Sequence, residues 1–542
     1  HAQLGIEVSI NSDGSVLAIG RGGAEVLIYN WNNISTLWEF VARFYQYQSS
    51  DSFSNSIALS SDGKVLIVGA STYDLTQTDQ GSIRMFHISG HQGFTDAIDY
   101  TNVVSWKQKG IEILGERGGG NITYSDITGR DPKSVSLNYL GNTVAIGNYR
   151  IDHTNEHTGG TKIYRWNDSS WNQLGQLIYG DEPGTNGYER SGYAVSLNGD
   201  GDIVAIGSPW SPYHNQQKGI VRVFKYNDIS WVQLGSSIEG DNIGNEYYLG
   251  FSVSINKIGD IVAMGAWRAN NNYKGQVEVW KWNNVSWTQQ GNTITGTGTN
   301  DQAGRSVALN ADGTIVAIGH KDEDNSSKGR ITAFNYNNTS WVQLGDNTHM
   351  TDIGSDGQGW DDGDGSGDIG EAQEIAISGD GKIIAVGHEY DDTGGTHAGI
   401  VKTFEWNDIS WNRIETANMT GENAGDNYGR SVSLSEDGNY LAVGAPNNDD
   451  RGDRCGKTYL YKRNGNSWDS IKEFYGKSNT NESGSSISLS GNGLKIAIGA
   501  PLSDINDASY AFDRGNISIY SAQQNFISSI IKTDNSAGFT ST

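Results

Sequence analysis

Much of what would assign a chain to a familiar class is missing from this sequence. Cys455 is the only cysteine in 542 residues, so no disulfide forms within the chain and the fold rests on its own core. With six prolines against 72 glycines, turns depend on Gly, Asn and Asp rather than on Pro. Long amphipathic helical patterns are absent, and no apolar run approaches the roughly 20 residues of a membrane-spanning helix. No cluster of Lys or Arg relieves a formal net charge of −25, which argues against nucleic acid as a partner. The chain begins at His1 rather than Met, as a processed or partial chain would.

What is present points to strands. Hydrophobic residues make up 35% of the chain, with 16 Trp and 26 Tyr, which is too rich for disorder. One phrase recurs nine times: an alternating S-V-S-L-S run, a D-G turn and an apolar run ending in A-I-G, as in Ser306 to Gly319 and Ser431 to Gly444. The turn glycines run from Gly14 to Gly493 at a mean step of about 60 residues. The second half of each unit reads G-x-V-x-V, a polar turn and W-x-Q-L-G-x-x-I, seen whole in Gly219 to Ile238. Four short strands per unit, joined by turns rich in residues that tolerate the left-handed region, predict one antiparallel propeller blade each. The tryptophan that recurs as Trp106, Trp171, Trp231, Trp287, Trp341, Trp411 and Trp468, with Trp38 in a looser version of the same place, is expected to pack between blades rather than to form a ligand platform.

Gly429 to Pro446 followed by Gly456 to Asn464 resembles the FG-GAP repeat, and similar phrases run through essentially the whole chain. The resemblance implies the propeller of integrin alpha subunits, and an extracellular setting. The expected fold is therefore an all-β propeller of four-stranded antiparallel blades spanning 1–532. Its nine repeats start near 5, 54, 131, 191, 250, 304, 371, 429 and 484, with a tail or linker over 533–542. Nine blades exceed the usual ring, so a smaller ring with additional repeats outside it, or an open array, is the alternative. The fourth strand of the last repeat is expected around 526–532, with no strand shared between the chain ends. Integrin-type repeats hold calcium in the hairpin between strands one and two. Here that hairpin shrinks to S-x-D-G or N-x-D-G, and one aspartate cannot supply six to eight oxygens.

In such a blade the loops between strands one and two and between three and four open on one face, where they are short and uniform. The other loops are long, variable and acidic, and function is expected on their face. On it, Asp362, Asp364, Ser366, Gly367 and Asp368 follow the opening of a calcium loop, which makes Ca2+ the candidate cofactor, although Gly370 and Gln373 break the rest of the pattern. His388, Asp391, Asp392 and His397, and Asp449, Asp450 and Asp453, are read as solvated loop residues. Arg451, Gly452 and Asp453 spell the tripeptide integrins recognise, beside Cys455. N-x-S/T sequons at Asn33, Asn121, Asn167, Asn284, Asn325, Asn337, Asn338, Asn418, Asn481 and Asn516 are candidate glycosylation sites. His87 with His91 and His153 with His157 lack the glutamate and the helix of a metalloprotease site, and no nucleophile motif stands out.

These observations predict a secreted or cell-surface, non-catalytic module. It would bind a protein or glycan partner, or self-assemble into a surface array or fibre, with calcium assisting. The alternative is a propeller enzyme acting on polysaccharide.

Overall fold

In the computed structural model the chain divides into two compact units, residues 1–106 with 523–542, and residues 107–522. The structure describes residues 103–114, 133–149, 151, 158–180, 189–211, 218–240, 247–270, 272–321, 329–345, 374–414, 419–502 and 515–524. Of the first hundred residues it describes the strands 4–10, 16–21, 25–32, 37–45, 53–59, 65–70 and 82–87. Those strands form a four-stranded sheet from the first repeat and a three-stranded sheet from the second.

The larger unit is a ring of seven blades, each an antiparallel meander. Blades I to VI open with the first strands Val135–Leu137, Ala194–Leu197, Ser252–Ile255, Ser306–Leu309, Glu374–Ile377 and Ser431–Leu434. Blade VII opens with Ser486–Leu489 and continues through Lys495–Ala500 and Asn516–Gln524. Its fourth strand is Val103–Gln108, and Ile113–Leu114 pairs beyond it on Asn516–Gln524. The expectation of nine blades is thus corrected to seven, and the smaller ring is the one adopted. The second repeat is three-stranded because its fourth strand, the W-x-Q-x-G segment Trp106 to Gly110, completes the blade of the last repeat. A strand borrowed from the other end of the ring pairs an edge that would otherwise stay open, and this staples the circle. Residues 526–532 lie outside the described residues.

Backbone hydrogen bonds count the blades independently. On the face of the D-G turns the amides of Tyr139, Gly199, Lys257, Ala311, Gly379 and Glu436 each donate to the carbonyl of the corresponding residue in the next blade, ending at Gly491, and Asn492 returns the chain of bonds to Tyr139 (2.7–3.2 Å). A second belt explains the S-V-S-L phrase. Ser136, Ser196, Ser254, Ser433 and Ser488 each accept, at Oγ, the amide of Leu197, Ile255, Leu309, Leu489 and Leu137 in the following blade, at 2.9–3.1 Å. Blades IV and V carry Ala308 and Ala376 at that position and lack the contact.

The remaining repeat residues also serve the seams. Trp231 and Trp287 donate Nε1–H to Leu174 and Leu234 of the preceding blade at 2.7 Å, and Trp411 does so to Leu344 at 3.1 Å, while their rings sit in the inter-blade cores. The tryptophans therefore pack between blades. The glycine of A-I-G lies against a neighbour's backbone: a Cβ on Gly265 would overlap the carbonyl of Gly304. Within the turns, Asn198 and Asn256 use Oδ1 to accept the amides that reverse the chain.

Candidate functional site

The seven first strands enclose an axial channel of about 260 Å3. On the short-loop face it narrows at Tyr139, Lys257 and Glu436, which alternate with small residues around the ring: Tyr, Gly, Lys, Ala, Gly, Glu, Gly. Each large side chain leans on the glycine of the blade before it, since a Cβ on Gly199, Gly379 or Gly491 would collide with Lys257, Glu436 or Tyr139 respectively. Lys257 spans the mouth from blade III to blade VI, with Nζ 2.7 Å from Glu436 Oε1 and 4.0 Å from the centre of the Tyr139 ring. A cation, an anion and an aromatic ring thus close this end.

The opposite end, on the long-loop face, carries a second crossing lysine. Lys133 reaches from blade I to blade IV, where Nζ donates to Ser306 Oγ (2.9 Å) and to the Val307 carbonyl (3.2 Å). Beside it in blade V stands Glu374, 7% exposed, whose Oε2 has no hydrogen-bond partner. Burial pushes the Glu374 carboxyl up to about 7 against the pull of Lys133 and Arg430, and burial pushes the Lys133 ammonium down against the pull of Glu374. Neither residue stood out in the sequence. The available signal was repeat alignment: the column of Glu374 holds serine in six repeats, alanine in one and glutamate in one other, Glu7 of the first repeat, which is not one of the ring's seven blades.

Around this mouth, blades I to III and the head of blade IV build a mosaic of aromatic rings and arginines. Tyr149, Trp210 and Trp267 follow the second strands, while Tyr193, Phe251 and Arg305 precede the first strands, so both sets gather at one rim. Tyr193 lies 5.0 Å from both Trp210 and Phe251, ring centre to ring centre, and Phe251 lies 5.8 Å from Trp267. The Arg190, Arg305 and Arg268 guanidinium groups sit over Trp210 (4.3 Å), Trp267 (4.3 Å) and again Trp267 (4.5 Å). Arg190 Nε is buried without an acceptor. Arg190 and Tyr248 occupy the left-handed region (φ 54° and 57°), as do Gln302, Asn427 and Glu482 at the same place in later blades. Each costs about 1 kcal/mol or more, a strain repeated at one rim of the ring.

The FG-GAP repeat model matches residues 416–461, which contain most of the phrase that carried the resemblance. The chain is a propeller in which residues 416–461 are similar to the FG-GAP repeat. Solved structures similar to this chain include hydrazine synthase of Kuenenia stuttgartiensis (12% identity, 71% of this chain and 96% of that one, TM-score 0.43). The β-propeller domain of Cps50 (Swd1) from Myceliophteria thermophila (12%, 76% and 100%, TM-score 0.43) and the WD40 repeats of RRP9 (9%, 77% and 100%, TM-score 0.45) are also similar. At these identities and scores none bears on activity. No curated protein matches the chain.

The other candidate residues fall in different settings. Asp362, Asp364, Ser366 and Asp368 lie outside the described residues, as do Asn33, Asn121, Asn325 and Asn418. Among the described residues, no group of three or more His, Cys, Asp or Glu side chains is arranged to hold a metal. Arg451 and Asp453 are exposed on the long-loop face, Arg451 over the Tyr475 ring at 4.6 Å, and Gly452 between them is left-handed (φ 146°). Cys455 is buried, with its thiol donating to the Gly476 carbonyl. Asn167, Asn284, Asn337 and Asn338 are exposed in the hairpins between strands three and four, whereas Asn481 and Asn516 are buried.

The solvated reading of His388 and Asp391 is corrected. Both are buried, neither ring nitrogen of His388 has a hydrogen-bond partner, and Asp391 Oδ2 has none either. Burial holds the imidazole down at about 4, opposed by Asp391 and Asp392 and reinforced by Lys402. The reason is local: His388 closes the fully buried strand Ile383–His388, whose residues pack against both neighbouring blades.

Proposed function

We propose that the protein is a non-catalytic extracellular binding module that engages a protein or glycan partner through the long-loop face. The carrying observation is the aromatic and arginine mosaic at the channel mouth. In a chain with net charge −25, Arg190, Arg268 and Arg305 gather over Trp210 and Trp267, and one of their donors stands without an acceptor. Large rigid rings with interleaved guanidinium groups supply much contact area at little entropic cost, which suits them to the centre of an interface. The exposed tripeptide at Arg451, Gly452 and Asp453 belongs to the same face and supports an adhesive setting. Calcium held by Asp362, Asp364, Ser366 and Asp368, in the sequence preceding blade V, would assist this engagement.

The test is capture of partners from a glycan array and from a native extracellular matrix preparation, with wild-type protein, Trp210→Ala and Arg190→Ala. Retention by wild type, loss by both rim variants and weakening in a calcium chelator support the reading. Equal capture by all three proteins overturns it. Electron microscopy of the same samples distinguishes single rings that bind a foreign partner from ordered self-assemblies. Mass spectrometry of native material for glycans at Asn167, Asn284, Asn337 and Asn338 tests the secretory route.

A further inference from the structure

Blade V departs from the repeat at one point inside the channel. The residue at the head of the first strand is serine in five blades (Ser134, Ser252, Ser306, Ser431, Ser486), alanine in blade II (Ala194) and glutamate in blade V (Glu374). In blades III and VI this serine bonds the neighbouring blade, donating to the carbonyls of Gly304 and Gly484 at 2.8 Å. Glu374 makes no such contact. Its Oε2 is buried in the channel wall with no donor to meet it, a costly arrangement that blade packing does not require. Positions where a local rule is broken without a packing gain are where function is sought.

The surroundings define what would fit. Lys133 commits two of its three N–H donors, to Ser306 and Val307, and leaves one for a ligand. Ser136, Ser196, Ser254, Ser433 and Ser488 line the same space; their oxygens already accept amides, so each hydroxyl hydrogen can still donate. The channel therefore offers one strong acceptor and several donors in a volume of about 260 Å3. We infer that the channel is a binding site for a small neutral polyhydroxylated molecule, of single-sugar or cyclitol class, anchored between Glu374 and Lys133 at the long-loop end. A hydroxyl group satisfies both anchors, donating to Glu374 Oε2 while accepting from Lys133. Anions are repelled by Glu374, and amines by Lys133. A neutral ligand leaves the near balance of these two charges undisturbed.

The site is separate from partner docking at the rim and is tested separately. Titration calorimetry and ligand-observed NMR would use the full chain with glucose, galactose, mannose and myo-inositol, and with glycine and inorganic phosphate for comparison. The expected result is saturable binding of at least one polyol, weakened about tenfold to a hundredfold in Glu374→Gln, the loss that accompanies removal of a charged hydrogen-bond acceptor. Glu374→Ser, which restores the residue the other blades carry, should fold and lose the ligand equally. Trp210→Ala on the rim should bind as wild type does. Absence of polyol binding to wild type, undiminished binding in both Glu374 variants, or preference for glycine or phosphate overturns the inference. Loss of partner capture in Trp210→Ala with polyol binding intact would separate the two sites.

Discussion

Replacing Glu374 by glutamine should stabilise the ring at neutral pH and do little in acid. Burial raises this carboxyl from 4.5 to about 7, with Lys133 from blade I and Arg430 from blade VI as the charged groups that pull it back. Ionising the acid in the folded chain therefore costs about 3 kcal/mol more than in the unfolded chain. Below about pH 4.5 the acid is neutral in both states and the cost is absent. Stability is lost as pH climbs to about 7 and is constant above that. Glutamine keeps the shape and cannot ionise, so the advantage of Glu374→Gln should grow from near zero at the acid end to about 3 kcal/mol at the neutral end. The assay is guanidinium unfolding of wild type and variant side by side across that range, followed by tryptophan fluorescence, with the difference between the two proteins as the readout. A difference that ignores pH, or a variant that loses ground as pH rises, would refute the reasoning. The second result would mean that the Lys133 and Glu374 charges attract by more than burial costs them.

Three further outcomes are expected. His388, neutral and buried with Asp391, Asp392 and Lys402 facing it, contributes stability that is present above about pH 6.5 and lost as pH falls toward about 4, so His388→Gln should flatten acid unfolding measured in the same way. This loss runs against the gain from protonating Glu374 over nearly the same window, so the variants should show slopes that wild type conceals. At Asp301 burial pushes the carboxyl up, but hydrogen bonds and charge from His320 (3.1 Å) and Arg330 (2.7 Å) outweigh it and hold the carboxyl below its ordinary value. Asp301→Asn, which leaves Arg330 without its counter-charge, should cost about 3–5 kcal/mol by denaturant unfolding. Gly265→Ala drives a methyl into the Gly304 carbonyl across the seam of blades III and IV and should cost about 1–3 kcal/mol, read as a fall in melting temperature, whereas the same change at the open Gly465 turn meets no neighbour and carries only the strain of a left-handed backbone (φ 59°), about 1 kcal/mol.

Why the ring tolerates so acidic a chain follows from where charge is placed. Its seams are built from backbone amides, serine hydroxyls, tryptophan N–H groups and glycine contacts, which carry no net charge and repeat from blade to blade. The buried ion pairs sit away from these repeated contacts, as in Asp301 with Arg330 and in Glu389 of blade V with Arg430 at the head of blade VI, while Lys257 and Glu436 at the channel mouth are partly exposed. The repeat supplies the scaffold, and the departures from it mark individual sites.

The sequence alone determined the blade. The alternation of S-V-S-L, the turn at N-x-D-G, the A-I-G strand and the recurring tryptophan are local or nearest-neighbour requirements, so each leaves its mark at a fixed position in every repeat. The FG-GAP resemblance and the preference for the long-loop face came from the same source. Tertiary structure alone decided the number of blades, because closure depends on the angle between neighbours and on which strand completes the last sheet. Nothing in Val103–Gln108 announces that it will pair with Asn516–Gln524. The channel was hidden for the same reason: Lys133 and Ser306 are 173 residues apart, and only the ring sets them 2.9 Å from each other. Likewise His388 read as a loop residue until the strands flanking it were seen to bury it. Periodicity records what each blade asks of the next, whereas a site assembled across the axis from unlike blades has no period to record.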